Sequence, residues 1–257
     1  MKIILRGGND QFGSGFGQIL DNPACHLIIP EQQGLSGQFF HCLLYDVMRF
    51  TAHRFFLRDA LSSGNMASAA DELQKVKEEA RLDFLTVTDK NGVVLLRTSN
   101  QEQFGDNQGH DDLLHSVLLW EKPAASTILV AAEDLYLESP NLTGQAKFKF
   151  IDTPLARDRE ETEETSGMML KAVAPIFDEQ QKFIGTIYGG VLINRNFEIV
   201  DKVKQTVYEN VIYEGQDIGT ATIFQDDLRI STNVRNEDGT RAIGTRVSEE
   251  VYNQVII

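Results

Sequence analysis

The stretch "GTATIFQDDLRISTNV", Gly219 to Val234, most constrains what this chain can fold into. Two apolar, β-branched runs, "ATIF" and "LRIST", flank the acidic turn "QDD", the pattern of a β-hairpin. A lone hairpin is marginal in water. These strands therefore need a partner, yet only residues 235–257 follow them.

An earlier stretch repeats the pattern. "FLTVTDKNGVVLLRTS" reads as strand, turn, strand, and is followed by Gly105 and a short helix over Asp111 to Trp120. "TATIFQDDLRISTNV" is followed in the same way by Gly244 and the helical "SEEVYNQVI". This is a weak internal repeat at a separation of roughly 135 residues. It predicts that the last hairpin begins a second copy of the first module, with the strands that would complete that copy's sheet absent.

Between the repeats the chain alternates helices and strands. "YDVMRFTAHRFFLRDAL" places Val47, Phe50, Leu57 and Leu61 near one helical face. "MASAADELQKVKEEARL" aligns Ala69, Leu73, Val76 and Ala80 opposite a charged face, as for a helix lying on a sheet. "STILVAAEDLYLES" reads as a strand and "LARDREETEETSG" as an acidic, solvated loop. "MMLKAVAPIFDEQQKFIGTIYGGVLIN" is a second strand pair, in which Gly185, Gly189 and Gly190 mark bulges or close backbone approach. "NFEIVDKVKQTVYENV" then places Phe197, Val200, Val203, Val207 and Val211 on one side of an exit helix. The predominantly antiparallel order implies an α+β fold with helices on the sheet. Residues 1–44 form an irregular segment, 45–212 the first module and 213–257 the start of the second.

Composition excludes several functions. With 24 Lys and Arg against 38 Asp and Glu, the formal charge is −14, which argues against a nucleic-acid footprint. No apolar run approaches the roughly 20 residues of a membrane helix, and "MKIILRGGNDQF" lacks the apolar core of a signal peptide. Gly13, Gly15 and Gly17 do not have the spacing of a dinucleotide loop. The two cysteines, Cys25 and Cys42, make no disulfide framework. No nucleophile elbow is present, and the carboxylates of "REETEETS" lie on a polar loop where they repel one another, so no enzyme activity is expected. His110, Asp111 and His115 could share a helix face as metal ligands, but an N-cap or first-turn acid is the simpler role for Asp111 or Asp112. No metal or cofactor is expected.

Three stretches, "LDFLTVTDKNGVVLLRTSNQEQFGDNQ", "APIFDEQQKFIGTIYGGVLIN" and "GTATIFQDDLRISTNVRNEDGTRAIGTRVSEEVYNQV", resemble in order the double Cache sensor domains of bacterial chemotaxis receptors and sensor histidine kinases. The resemblance implies PAS-like modules, a long N-terminal helix through which the receptor dimerises, and an extracytoplasmic, periplasmic position between membrane spans of the parent receptor. Those spans and the output domain have no counterpart in this sequence.

It also implies a ligand site in the first module. In citrate-type sensors a strand ends in arginine, with a polar residue three positions on and a Gly-Asp turn beyond. Here that stretch is "LLRTSNQEQFGD", so Arg97 matches the arginine and Asn100 the polar residue. Lys171, upstream of "APIF", matches a second basic position. The chemistry is sound on its own terms, because a carboxylate ligand wants a guanidinium fork, a point charge and neighbouring hydroxyl or amide donors. Arg97, Lys171, Asn100, Ser99 and Tyr188 are therefore the candidate contacts of a small, anionic ligand. Two other readings stay open: a structural or interaction module with a filled pocket, and a cytoplasmic PAS-type regulator.

Overall fold

In the computed structural model, residues 2–6, 26–27, 36–208, 212–213, 216–217 and 219–253 are described. Cys25, the Gly13–Gly17 stretch and Val211 lie outside them. In chain order the elements begin with β1 (Lys2–Arg6), β2 (His26–Leu27), α1 (Ser36–Ala52), α2 (Phe55–Ser63) and α3 (Ala67–Glu79). The hairpin β3 (Phe84–Asp89) and β4 (Val94–Arg97) follows, then α4 (Asp112–Trp120), β5 (Ala124–Val130), α5 (Ala132–Glu138) and α6 (Pro140–Ala146). Next come β6 (Phe148–Lys149), β7 (Glu163–Glu164), β8 (Gly167–Phe177), β9 (Phe183–Leu192) and α7 (Phe197–Tyr208). The chain closes with β10 (Ile212–Tyr213), β11 (Gln216–Asp217), β12 (Thr220–Gln225), β13 (Leu228–Thr232) and α8 (Glu249–Val251).

Two compact units emerge. One holds residues 39–144 and 169–192; the other holds 1–38, 145–168 and 193–257. Residues 145–168 and α7, read from the sequence with the first module, group here with the C-terminal hairpin.

The first unit is PAS-like, with a five-stranded sheet in the order β4-β3-β9-β8-β5. The β3/β4, β3/β9 and β8/β9 pairs are antiparallel. The β3–β4 turn closes because Asp89 Oδ1 accepts from the Asn91 and Val93 amides and Gly92 takes a positive φ of 82°. Gly190 is forced by close approach: a Cβ there would stand 2.8 Å from the Leu170 carbonyl and 3.0 Å from the Phe84 ring. Ala69, Leu73 and Val76 of α3 are buried as their spacing predicts, whereas Ala80, the C-cap just past the helix, is half-buried. Phe50 departs from its expected inward face. The helical run breaks between Ala52 and Phe55, and Phe50 is left 61% exposed. The segment expected as one strand over 126–139 is β5 followed by α5. Leu135 and Leu137 alternate around Tyr136 like a strand, but Glu133 and Asp134 sit in a helical first turn, where acids are favoured.

The second unit completes the C-terminal hairpin in an unforeseen way. Lys2–Arg6 pairs antiparallel with β12, giving a four-stranded sheet ordered β13-β12-β1-β2. Residues 1–44 thus contain a strand and the start of α1 rather than irregular chain alone. The pairing answers the open edge of β12, where unpaired N–H and C=O groups seek a strand. Ile199, Val200 and Val203 of α7 are buried. The loop before β8 is tied down rather than freely solvated. Arg157, Arg159 and Arg246 converge on Asp227, whose side chain is fully buried.

The internal pattern recurs in detail. Each hairpin carries a register irregularity, each is followed by a glycine at positive φ (Gly105, Gly244), and each leads to a helix capped by its own side chain, Asp111 or Ser248.

Candidate functional site

Strand register builds the site. Thr86 of β3 stands opposite both Arg97 of β4 and Tyr188 of β9, so the three side chains share one sheet face. Two residues along β9, Gly190 lies between Phe84 and Lys171 of β8, which places Lys171 on that same face. Having no side chain, Gly190 lets the Phe84 ring and the Met169 sulfur close in over β9.

Over this face sit the α4 N-terminus and α5. Glu138, the last residue of α5, is 6% exposed. It accepts from the Thr86 hydroxyl at 2.5 Å and from the Tyr188 hydroxyl at 2.7 Å. Its carboxylate also lies 3.3 Å from Arg97 Nε. Arg97 is fully buried and forks onto Asp106, with contacts of 2.6 and 2.8 Å, while donating to the Gln103 carbonyl at 3.0 Å. Asp106 receives the Gln108 amide as well, at 2.7 Å. The Arg97 hydrogen bond outweighs partial burial and holds the Asp106 carboxyl down at about 2. Burial, with the nearby Glu138 carboxylate, pushes the Tyr188 phenol well above its usual range, so it stays a neutral donor.

Beside this network opens a cleft of about 260 Å³. Phe84, Met169 and Lys171 form its floor; Gln108, His110 to Leu113, Ile128 to Ala131 and Asp134 form its walls, and Glu138 closes one end. The Lys171 ammonium hydrogen bonds Asp111 Oδ2 at 2.9 Å and stands 4.3 Å from the centre of the Tyr188 ring. Asp111 is the N-cap of α4, its Oδ1 accepting from the Leu114 amide at 2.7 Å. Burial disfavours its charged form, but the charge and hydrogen bond of Lys171, the Leu114 amide and His110 outweigh that, so the carboxyl titrates below its ordinary value. At the mouth, His110 meets Asp134 at 3.3 Å.

Of the five residues expected from the sequence, Lys171 lines the cleft. Arg97 and Tyr188 belong to the buried network beside it. Ser99 donates to the Asp83 carbonyl and accepts from Lys77, and Asn100 donates to the Tyr136 and Leu137 carbonyls; neither lines the cleft. Asp106 and Glu138 were missed. Asp106 was visible as the aspartate of the Gly-Asp turn, whereas Glu138 was hidden by reading its helix as a strand. Among the described residues no three His, Cys, Asp or Glu side chains gather as a metal site.

Residues 191–257 match the family model for single Cache domain 3. The match covers α7, the C-terminal hairpin and α8. No curated protein matches the sequence. Among solved structures the chain is similar to the E. coli DcuS sensor domain, at 17% identity over 60% of this chain and 89% of that one, TM-score 0.39. It is similar too to the periplasmic domain of Vibrio cholerae LuxQ, at 14% identity over 78% and 75%, TM-score 0.46. The sensor domain of the V. cholerae histidine kinase DctB is matched at 12% identity over 61% and 50%, TM-score 0.43.

Proposed function

We propose that this chain is the ligand-sensing ectodomain of a bacterial transmembrane receptor and takes a small carboxylate-bearing metabolite into the cleft above β8 and β9. The observation that carries the reading is Lys171. It is the one lysine or arginine that lines the cleft among the described residues, and its ammonium is a point charge suited to a carboxylate. Arg97, Tyr188 and Glu138 support the floor and wall. Ser99 and Asn100 hold the loop after β4 against its neighbours. The Cache match in residues 191–257 supports the sensor class.

The parent receptor would place this chain outside the cytoplasm, passing the ligand's preference for one conformation through α7 toward a kinase or chemotaxis output. Among the described residues no helix is long and apolar enough to cross a membrane. Dimerisation through α1 fits Leu43 and Phe50, seven residues apart on that helix and 53% and 61% exposed.

The test is thermal melting of the full chain against a panel of organic acids, amino acids and amines. A ligand at about 100 times its dissociation constant adds roughly 2.7 kcal/mol of stability, a readily measured shift. A carboxylate that raises the midpoint in wild type but not in Lys171→Met supports the reading. A panel that moves nothing favours the alternative of a structural module, for which Arg97, bound through Nη1 and Nη2 to Asp106 and the Gln103 carbonyl, already speaks.

A further inference from the structure

We propose that Asp111 is a built-in competitor for the ligand's carboxylate, occupying the anion position on Lys171 until a ligand displaces it. The inference rests on the sensing role of this cleft and names what sets its selectivity.

Asp111 does two jobs with one carboxylate. Oδ1 caps α4 by accepting from the Leu114 amide, and Oδ2 holds the Lys171 ammonium at 2.9 Å. The pair is nearly dry, the lysine side chain being 6% exposed and the aspartate 15%. An entering carboxylate therefore finds its counter-ion occupied and meets a second negative charge beside it. Exchanging one carboxylate for another on the same ammonium gains almost nothing. A simple monocarboxylate is rejected for that reason. A ligand succeeds only if it brings further groups for the remaining polar side chains of the cleft, such as Gln108 and His110. Displacement also releases the α4 N-terminus from β8 while leaving its cap in place, which gives the binding event a mechanical consequence.

Substitution separates these roles. Asn and Ser cap helices about as well as Asp, so Asp111→Asn removes the competing charge, and Asp111→Ser also removes the reach to Lys171, without uncapping α4. Calorimetric titration of the full chain with acetate and with succinate is the experiment, run on wild type, D111N, D111S, D111N/K171M and D134N. The expected result is acetate and succinate binding roughly tenfold or more tighter in D111N and D111S than in wild type, the scale of one charge-assisted hydrogen bond. K171M added to D111N abolishes the gain. D134N removes a cleft charge of the same sign that does not touch Lys171, and gains less than about threefold. Equal gains in D134N, or a gain that survives K171M, would mean general repulsion and overturn the competitor. If wild type binds an acid or amine of the melting panel and the Asp111 variants bind acetate and succinate no tighter, the competitor falls and the sensor stands. If no variant binds any of them, both fall.

Discussion

Arg97 and Lys171 stand on the same sheet face, and each holds an aspartate from the chain that follows β4. The two pairs are built for different ends. Arg97 is wholly enclosed, its fork matched by both Asp106 oxygens, its Nη1 shared with the Gln103 carbonyl and its Nε facing Glu138. Lys171 holds Asp111 through one hydrogen bond at the edge of a cleft, with the Tyr188 ring beneath it. A guanidinium enclosed on several sides is a structural fastener. An ammonium with one carboxylate and an open side is an exchangeable contact. Cations of the same nominal role are told apart by how many of their donors the protein itself consumes.

The largest expected effect falls on the enclosed pair. Arg97→Met strands Asp106 and Glu138 without their cation and is expected to cost about 3–5 kcal/mol in urea unfolding. Lys171→Met, which leaves Asp111 still bonded to the Leu114 amide, is expected to cost about 1–3 kcal/mol. Equal losses would break the distinction between fastener and exchangeable contact. Acid sharpens it. The Asp106 carboxyl titrates at about 2 in the folded protein, against about 3.9 in an unfolded chain. Its contribution is therefore complete above pH 4 and is lost as pH falls through 2. Urea midpoints of wild type should fall across that window, and those of Arg97→Met should lack this component.

Glu138→Gln ranks next, at about 1–3 kcal/mol. Its amide still accepts from one hydroxyl, but Arg97 loses the charge at 3.3 Å. Because Glu138 borders both the Arg97 network and the cleft, this variant should change stability and ligand affinity together although it touches neither Lys171 nor Asp111, read by urea unfolding and calorimetry on the same samples.

Much of this was legible before any coordinates. The antiparallel order, the "DKNG" turn, the α3 stripe and the Asp111 cap all follow from local rules: period, turn chemistry and the need to satisfy helix-end amides. The resemblance in "LLRTSNQEQFGD" drew attention to Arg97 and its Gly-Asp turn. What stayed hidden was long-range. The Glu138 carboxylate depends on α5 folding back over the sheet, and the sequence of 131–138 satisfies strand and helix periods alike. The partner of the C-terminal hairpin lies at the opposite end of the chain, in Lys2–Arg6, where five residues carry no signal of where they pair. The resemblance points to Arg97 as a ligand contact; only tertiary packing shows which carboxylates hold it.

The smallest predicted effect probes whether the two regions are separable. Asn100 donates to the Tyr136 and Leu137 carbonyls at 3.2 and 3.0 Å, tying the loop after β4 to the C-terminal end of α5. It touches neither Lys171 nor Asp111. Asn100→Ala leaves two carbonyls to find water and is expected to cost about 1 kcal/mol. Ligand affinity should stay within about twofold of wild type, because the loop it secures serves the Arg97 side of the sheet. A larger fall in affinity at that small loss of stability would show that α5 transmits the loop's position to Glu138 and the cleft wall. The fastener and the exchangeable contact would then be two ends of one device rather than neighbours on a sheet.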